Sequence, residues 1–289
     1  MVREVLAGLD CRPGRLYVDG TVGEGGHAAA ILEHTAPSGE LWGLDRDAAI
    51  LQAASRRLAR HTSRFCLFHR PYSQLGELLT QARIPGVAGI LLDLGLSSQQ
   101  LARSARGFAF AGDEPLDMRF NPEEGGPTAA DLLNAASPEE LAQLFWEFGE
   151  EPRGRRLAIE IVQTRQRQRF RTTGQLVQAV QRALGPASAK SRRHPATRAF
   201  QALRLAVNQE LDHLALFLEQ FPAWLLPGGR LAVISYHSLE DRMVKQSLAA
   251  AEKAGVLKRL IRKPQTPTPE EVRQNLRARS AKLRLAEKI

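Results

Sequence analysis

The chain has 289 residues, of which 43% are apolar, so it can bury a core as one large domain or two ordinary ones. It contains no apolar run of about 18 residues and no apolar leader at residues 1–4, which predicts a cytoplasmic protein without a membrane partner. Cys11 and Cys66 form no Cys-x-x-Cys pair, so we expect neither a zinc site nor a disulfide, and each thiol should be a small buried hydrophobe.

The first third of the chain alternates short apolar runs with helical patterns. The predicted strands are Leu16–Asp19, Leu41–Leu44, Phe65–His69 and Gly89–Leu92, and the predicted helices are His27–His34, Ala48–Ala59 and Gln74–Ala82. This rhythm is typical of a doubly wound, mostly parallel α/β sheet. Ligands of such sheets bind at the carboxyl ends of the strands, where Asp19, Asp45 and Asp93 stand.

A glycine-rich turn follows the first strand, with the sequence Asp19-Gly20-Thr21-Val22-Gly23-Glu24-Gly25-Gly26-His27. Glycines permit a positive φ and close approach of a ligand to the backbone, and the next helix offers free amides at its start. The alternative is a tight turn without a ligand. The spacing matches neither Gly-x-G-x-x-Gly nor a phosphate loop, which favours a ligand with an amino-acid end, such as S-adenosylmethionine. Its carboxylate could meet the helix amides and His27.

Two further strand ends carry candidate cofactor contacts. Asp45 lies 26 residues after Asp19, where an acid can accept hydrogen bonds from ribose hydroxyls. Asp47 could instead cap the following helix, and the two acids can divide these roles. Tyr72, after the third strand, could pack on an adenine or simply line the rim of the core.

From about Phe108 onward, helical patterns replace the alternation until Gly228. The sequence Ser137-Pro138-Glu139-Glu140 predicts a capping box and a helix through Phe148. Further predicted helices are Gly154–Gln166, Thr173–Leu184 and Pro195–Glu219; then come the strand Arg230–Ser235, the helix Leu239–Ala250, and the strands Leu257–Ile261 and Ala281–Ala286. We therefore expect one α/β domain from residues 1–107 and 204–289, with residues 108–203 inserted as a helical subdomain.

Polar residues follow two strands that should be neighbours. Asp93 ends one and Tyr236-His237 follows the other, so we expect them on one rim of the sheet. A structural hydrogen-bonding role for His237 is the alternative to a catalytic one.

Positive charge is concentrated in three stretches of a chain whose formal net charge is +9. Residues 251–289 hold eleven Lys or Arg against four Glu, and the other stretches are Arg153–Arg171 and Lys190–His194. Such patches favour a phosphate backbone, so nucleic acid is the expected partner. The alternative is a set of solvated helix faces.

Several long motifs occur in order along the chain. They are Asp19-Gly20-Thr21 with Gly23-x-Gly25-Gly26-His27, Asp93-Leu94-Gly95-x-Ser97-Ser98 with Gln100-Leu101, Arg106-Gly107-Phe108, Pro115-Leu116-Asp117-Met118-Arg119, Phe200-Gln201-Ala202-Leu203-Arg204 with Val207-Asn208, Gly228-Gly229-Arg230-Leu231, His237-Ser238-Leu239-Glu240-Asp241-Arg242 and Arg279-Ser280-Ala281-Lys282-Leu283-Arg284. In these motifs the chain resembles the ribosomal RNA small subunit methyltransferase H family nearly end to end. Tyr72 and Tyr236 stand where that family usually has phenylalanine.

The resemblance implies a Rossmann-like methyltransferase fold, with a mostly parallel seven-stranded sheet and an all-helical insert that recognises substrate. It implies transfer of a methyl group from S-adenosyl-L-methionine to the exocyclic N4 of one cytidine of 16S rRNA, near the decoding site of the small ribosomal subunit. Cofactor contacts are implied at Gly25, Gly26, His27, Asp45, Tyr72, Asp93 and Gln100.

The chemistry of the cytosine amine suggests roles for individual residues. Its lone pair is delocalised into the ring, so the enzyme must align that nitrogen and accept its hydrogen bonds. We expect Asp93, or carbonyls just after it, to accept them, with His237 as a second catalytic candidate. Phe108, Phe110 or Tyr236 would stack on the extruded base. No metal is expected, and Asp117 could be catalytic or simply pair with arginine.

Two other classes and one assembly state remain as alternatives. A nicotinamide-dependent dehydrogenase could use the same fold, and a non-catalytic RNA-binding assembly factor could retain a vestigial pocket. The helical insert could also supply the face of a homodimer.

Overall fold

The computed structural model describes residues 1–103, 105–110, 112–185 and 194–289. They form two compact units, one made of Met1–Gly95 with Leu211–Ile289 and the other of Leu96–Glu210. The helical unit is thus longer at both ends than the insert expected from the sequence. Most of the predicted basic stretch Lys190–His194 lies outside the described residues. Among the described residues, no helix combines the length and apolarity needed to cross a bilayer.

The first unit is built on a sheet that contains seven strands within the described part of the chain. They are β1 (Leu16–Asp19), β2 (Glu40–Asp45), β3 (Phe65–His69), β4 (Val87–Asp93), β5 (Leu225–Ser235), β6 (Leu257–Arg259) and β7 (Lys282–Lys288). The spatial order is β3-β2-β1-β4-β5-β7-β6; the pairs from β3 to β5 are parallel, and β7 is antiparallel to β5 and β6. The predicted mostly parallel α/β sheet is confirmed.

The helices are named here in chain order. They are α1 (Val2–Leu9), α2 (Gly26–His34), α3 (Ala48–Leu58), α4 (Leu75–Gln81), α5 (Ser98–Arg103), α6 (Ala129–Ala135), α7 (Pro138–Glu147), α8 (Gly154–Arg167), α9 (Thr173–Leu184), α10 (Ala196–Asn208), α11 (Glu210–Trp224), α12 (Ser238–Lys253) and α13 (Pro269–Gln274).

The sheet is apolar on both faces, as expected when helices cover both sides of parallel strands. Successive strand residues point to opposite faces. Val18 and Leu92 accordingly belong to one buried cluster, whereas Tyr17 and Leu91 belong to another. The strands can therefore carry apolar side chains up to the edge at which their polar residues begin.

The helical unit has a core of its own and strong helix-start signals. Phe145, Leu157, Leu176 and Leu203 lie in one buried cluster. Capping boxes start α6, α7 and α9, and the one predicted at Ser137 is confirmed. Local sequence thus determines where these helices begin.

The helix predicted over Pro195–Glu219 is wrong, because the chain forms two helices there. Gln209 adopts a left-handed conformation with φ of 50°, and its amide bonds back to Ala206. The apolar period continues across this break, so the pattern hid it. Leu203 belongs to the helical core, whereas Phe217 belongs to the sheet core.

The environment of Cys66 was also predicted wrongly. Cys11 is buried, but Cys66 is exposed. Cys66 lies on β3, which is the outer strand of the sheet. Its exposure follows from strand order, which the local pattern does not contain.

Asn208 ties an irregular loop to the end of α10. Its Nδ2 donates to the carbonyls of Met118 (2.7 Å) and Arg204 (2.9 Å), and its Oδ1 accepts from the amide of Phe120 (2.7 Å). Met118 is buried with φ of 62°, a conformation that a methionine rarely adopts. The three bonds hold the loop in that strained shape.

We predict that Asn208→Ala lowers the free energy of unfolding by about 3 kcal/mol, because buried backbone groups of Met118 and Phe120 lose their partner. Urea titration followed by circular dichroism measures this. The control is Gln143→Ala, which removes an exposed amide of the same unit and should change stability by less than about 0.5 kcal/mol. Equal stability of the two variants would contradict the role given to Asn208.

Candidate active site

Three acids end three neighbouring strands of the sheet. Asp19 ends β1, Asp45 ends β2 and Asp93 ends β4, and β1 pairs with both of the others. Because the strands are parallel, their carboxyl ends lie along one edge. The candidate site is built at this edge, as the position of the acids in the sequence predicts.

The glycine turn is compact enough that side chains would not fit at some of its positions. A Cβ on Gly20 would lie 2.5 Å from Leu92 Cδ2. Gly25 has φ of 80° and is the N-cap of α2, where no side chain of the described residues caps the helix. The turn therefore presents backbone rather than side chains, and α2 can offer amides to an anionic group.

Asp45 organises the turn from the neighbouring strand. One carboxylate oxygen accepts from the amide of Gly23 and the other from the amide of Asp47, both at 3.0 Å. Asp47 in turn accepts from the amide of Ala49, so the predicted cap of α3 is confirmed. Burial raises the pKa of Asp45 to about 6, although these amides oppose the shift.

Asp93 is held by residues from three other parts of the sheet unit. Tyr236 Oη donates to Asp93 Oδ1 at 2.8 Å, and His27 Nε2 lies 3.5 Å from Asp93 Oδ2. The backbone amide of Asp93 donates to Thr21 Oγ1 at 2.6 Å. The expectation that Asp93 and Tyr236 share one rim is confirmed. Asp93 keeps 28% of its side chain exposed, so a further partner can reach it.

The charges at this edge affect one another. Burial raises the pKa of Asp19 to about 7, and the charges of Asp93 and Asp45 add to that rise. Burial opposes protonation of His27, but its contact with Asp93 and the charge of Asp19 outweigh it and raise the pKa. His27 Nδ1 is buried without a hydrogen-bond partner among the described residues. The edge thus favours a cationic ligand with polar groups.

Burial, with the charge of Asp93, raises the pKa of Tyr236. Its hydroxyl therefore stays protonated and donates to the carboxylate. The sequence analysis considered Tyr236 only as a base-stacking residue. The signal for this second role was the expected adjacency of the strands that precede Asp93 and Tyr236.

His237 lies on the same rim but acts on the backbone. It is the N-cap of α12, where its Nδ1 accepts from the amide of Glu240 at 3.5 Å. Its Nε2 lies 3.0 Å from a carboxylate oxygen of Glu240. The other oxygen of Glu240 accepts from the amide of Tyr236 at 3.0 Å. This geometry favours the structural role of His237, as a support for Tyr236.

The remaining predicted cofactor contacts lie in different settings. Tyr72 is half-buried in the sheet unit, with its ring edge-on to Phe217 at 5.6 Å. Gln100 belongs to the helical unit, where its Oε1 accepts from the amide of Ser97 at 2.9 Å. The cofactor roles of both residues stay predictions.

Three candidates from the loop after α5 are engaged inside the helical unit. Phe108 is buried and stacks on Phe120 at 5.6 Å. Phe110 stacks on His194 at 4.7 Å. Asp117 forms a two-pronged ion pair with Arg119, which holds its pKa below the usual range despite burial. The structural alternative for Asp117 is confirmed.

Comparisons with known proteins cover the whole chain. The MraW methylase family matches residues 1–289. Ribosomal RNA small subunit methyltransferase H of Desulfovibrio desulfuricans is 48% identical over 302 residues, covering 99% of this chain and 92% of that protein. The protein of the same name from Syntrophotalea carbinolica is 48% identical over 305 residues, covering 100% and 96%.

The likeness to solved structures is weaker. TrmN from Thermus thermophilus is 15% identical, with a TM-score of 0.46, over 100% of this chain and 48% of that one. The family match is independent of this likeness and extends from the first residue to the last. The chain belongs to the MraW methylase family.

Proposed function

We propose that this protein is a methyltransferase that uses S-adenosyl-L-methionine to methylate the exocyclic N4 of one cytidine of 16S rRNA, near the decoding site of the small ribosomal subunit. The family match and the names of the relatives support this function. The observation that carries it is the juxtaposition of a side-chain-free glycine turn with Asp93, His27 and Tyr236 at one sheet edge.

The residues at this edge fit that cofactor. The turn at Gly25 and Gly26 and the start of α2 would hold its amino-acid end, and the orphaned His27 Nδ1 could bond it as well. Asp45 keeps lone pairs for the ribose hydroxyls, and Tyr72 would contact the adenine. Asp19 and Asp93 suit a positive charge. The bound cofactor would supply an electrophilic methyl group.

Asp93 is the residue that we assign to the amine of the base. Tyr236 and His27 hold its carboxylate from two sides, so its direction is set before a substrate arrives. An oriented carboxylate can accept a hydrogen bond from the amine and align its lone pair. His237 and Glu240 support Tyr236 from the start of α12.

We assign substrate recognition to the helical unit because it carries exposed positive charge. Arg155, Arg156 and Arg167 are exposed on α8, whereas Arg165 is used internally to bond the carbonyls of Leu133 and Ala136. Exposed arginines suit a phosphate backbone. With 16S rRNA as partner, the protein would work in the cytoplasm.

A homodimer is proposed through the exposed apolar face of α7 and α8. Trp146 is 63% exposed and Ile159 is 54% exposed. Both line a groove of about 640 Å³ whose charged lining residues are Glu139 and Arg155. A groove that is apolar and electrically balanced suits a second copy of the chain better than a phosphate backbone.

We predict that Asp93→Ala abolishes transfer of a labelled methyl group to rRNA while the protein stays folded, because the amine loses its acceptor. Mass analysis of the nucleosides identifies N4-methylcytidine. The control is Asp212→Ala, which removes an exposed acid and should leave the rate unchanged. Full activity of Asp93→Ala would discard the assignment, and transfer to another base or none by the wild type would discard the proposed function.

We predict that affinity for S-adenosylmethionine rises between about pH 6 and pH 7.5 and then levels off. Asp19 is partly protonated below its raised pKa of about 7, and a cationic ligand favours the charged form, so binding releases a proton. Calorimetry of the free protein measures it. Asp19→Asn should flatten the profile, and S-adenosylhomocysteine, which lacks the sulfonium charge, should give a shallower one. An unchanged profile in Asp19→Asn would contradict the role of Asp19.

We predict that the wild type sediments as a dimer and that Trp146→Ser weakens the dimer by at least about 30-fold, because a buried aromatic anchor is lost. Analytical ultracentrifugation measures both, and Leu276→Ser is the control that removes an exposed apolar side chain from the other unit. A wild-type monomer at high concentration would exclude the dimer.

A further inference from the structure

The last part of the sheet unit contains cations of two kinds. Arg259 pairs with Glu252, while Lys282 and Arg284 both bond Asp241 and so tie β7 to α12. These cations serve the fold. A second set is exposed and forms no ion pair or side-chain hydrogen bond with any described residue: Arg262, Lys263, Arg273, Arg277 and Arg279.

The second set lies in one segment, residues 262–280, which is called the C-terminal arm below. It holds these five cations and two acids, Glu270 and Glu271. Glu271 is paired with the amino group of Met1. The positive charge of the arm is therefore largely uncompensated by the residues that the structure describes.

The arm is attached at the same edge of the sheet as the candidate site. Gln265 exchanges both backbone hydrogen bonds with Leu283, and Lys282 pairs with Ser235, the last residue of β5. The next residue is Tyr236, whose hydroxyl bonds Asp93. Both ends of the arm thus return to the strand end that positions Asp93.

The arm is anchored from within, so its exposed side chains project from an ordered backbone. Ala278 and Ala281 are buried. Thr268 caps α13, and Asn275 caps the turn that follows by accepting from the amide of Arg277. Between these anchors Leu276 is 75% exposed, which is unusual for a leucine held in ordered structure.

Arginines beside an exposed apolar side chain are the combination that single-stranded RNA requires. The guanidinium groups neutralise phosphates, and the apolar group contacts a base or ribose face. A protein surface could cover Leu276, but it would leave the neighbouring arginines without acidic partners unless it were itself acidic. The uncompensated charge favours RNA.

We propose that the C-terminal arm binds the RNA strand next to the target cytidine, with Arg277 and Arg279 on its phosphates and Leu276 against a base or ribose. This rests on the proposed function, because it assigns the flank of the same substrate to a second surface. The arm supplies affinity and register, while Asp93 faces the amine.

The test compares Arg277→Gln/Arg279→Gln with Lys253→Gln/Lys258→Gln in the full-length protein. The control pair removes the same charge from exposed lysines, and Lys258 is paired with Glu287 at the opposite end of β7. The probes are a 16S rRNA transcript and small ribosomal subunits from cells that lack this methyltransferase. Binding is measured at several KCl concentrations, and KM and kcat are measured for methyl transfer.

We expect the arginine pair to weaken RNA binding at least several-fold and to reduce the slope of log Kd against log salt by about 2, one unit for each lost phosphate contact. KM should rise with little change in kcat at saturating RNA. Leu276→Ser should weaken binding without changing the slope. The lysine pair should leave the KM and kcat unchanged.

A salt slope equal to that of the wild type in the arginine variant overturns the arm proposal, even where methylation proceeds and the proposed function stands. Loss confined to ribosomal subunits, with binding to the transcript unchanged, also overturns it in favour of a ribosomal protein as partner. A reduced slope without any methylation by the wild type supports the arm and contradicts the proposed function. Absence of RNA binding by the wild type contradicts both.

Discussion

The burial of carboxylates at one sheet edge is the constraint on which the arrangement of the catalytic unit depends. Asp19 is 1% exposed, and burial raises the pKa of both Asp19 and Asp45. Such acids are stable only with donors or positive charge nearby. Backbone amides of the glycine turn serve Asp45, while Tyr236 and His27 serve Asp93. A cationic cofactor would relieve the remaining repulsion.

This constraint links features that lie far apart in the chain. The glycines let the turn fold back on Asp45, and the same turn brings Thr21 to the amide of Asp93. The start of α12 holds Tyr236 through Glu240. A change in any of these parts therefore acts on the direction of the Asp93 carboxylate.

The positive charge follows the same division between fold and function. Arg284 and Lys282 meet Asp241 and fasten β7, so they are part of the sheet. Arg277 and Arg279 project from a short turn whose backbone is capped and anchored. Net charge alone cannot separate these two groups, because only the neighbours of each side chain distinguish a structural cation from one that is free to meet a phosphate.

Predictions that depend on local signals agree with the structure. β1, β3 and α9 have the predicted bounds, and the predicted caps at Asp47 and Ser137 are present. The errors come from decisions that are not local. The break at Gln209 separates side chains that enter two different cores, and the period of apolar residues does not record which core each one enters.

The sequence by itself determined the class of fold, the turn that presents its backbone to a ligand, and the acids at the strand ends. It could do so because turn chemistry and side-chain period act over a few residues. Only the tertiary structure decided that the Tyr236 hydroxyl meets Asp93, 143 residues away, and that Cys66 is exposed. Those outcomes depend on the order of strands in the sheet, which arises from packing between distant segments.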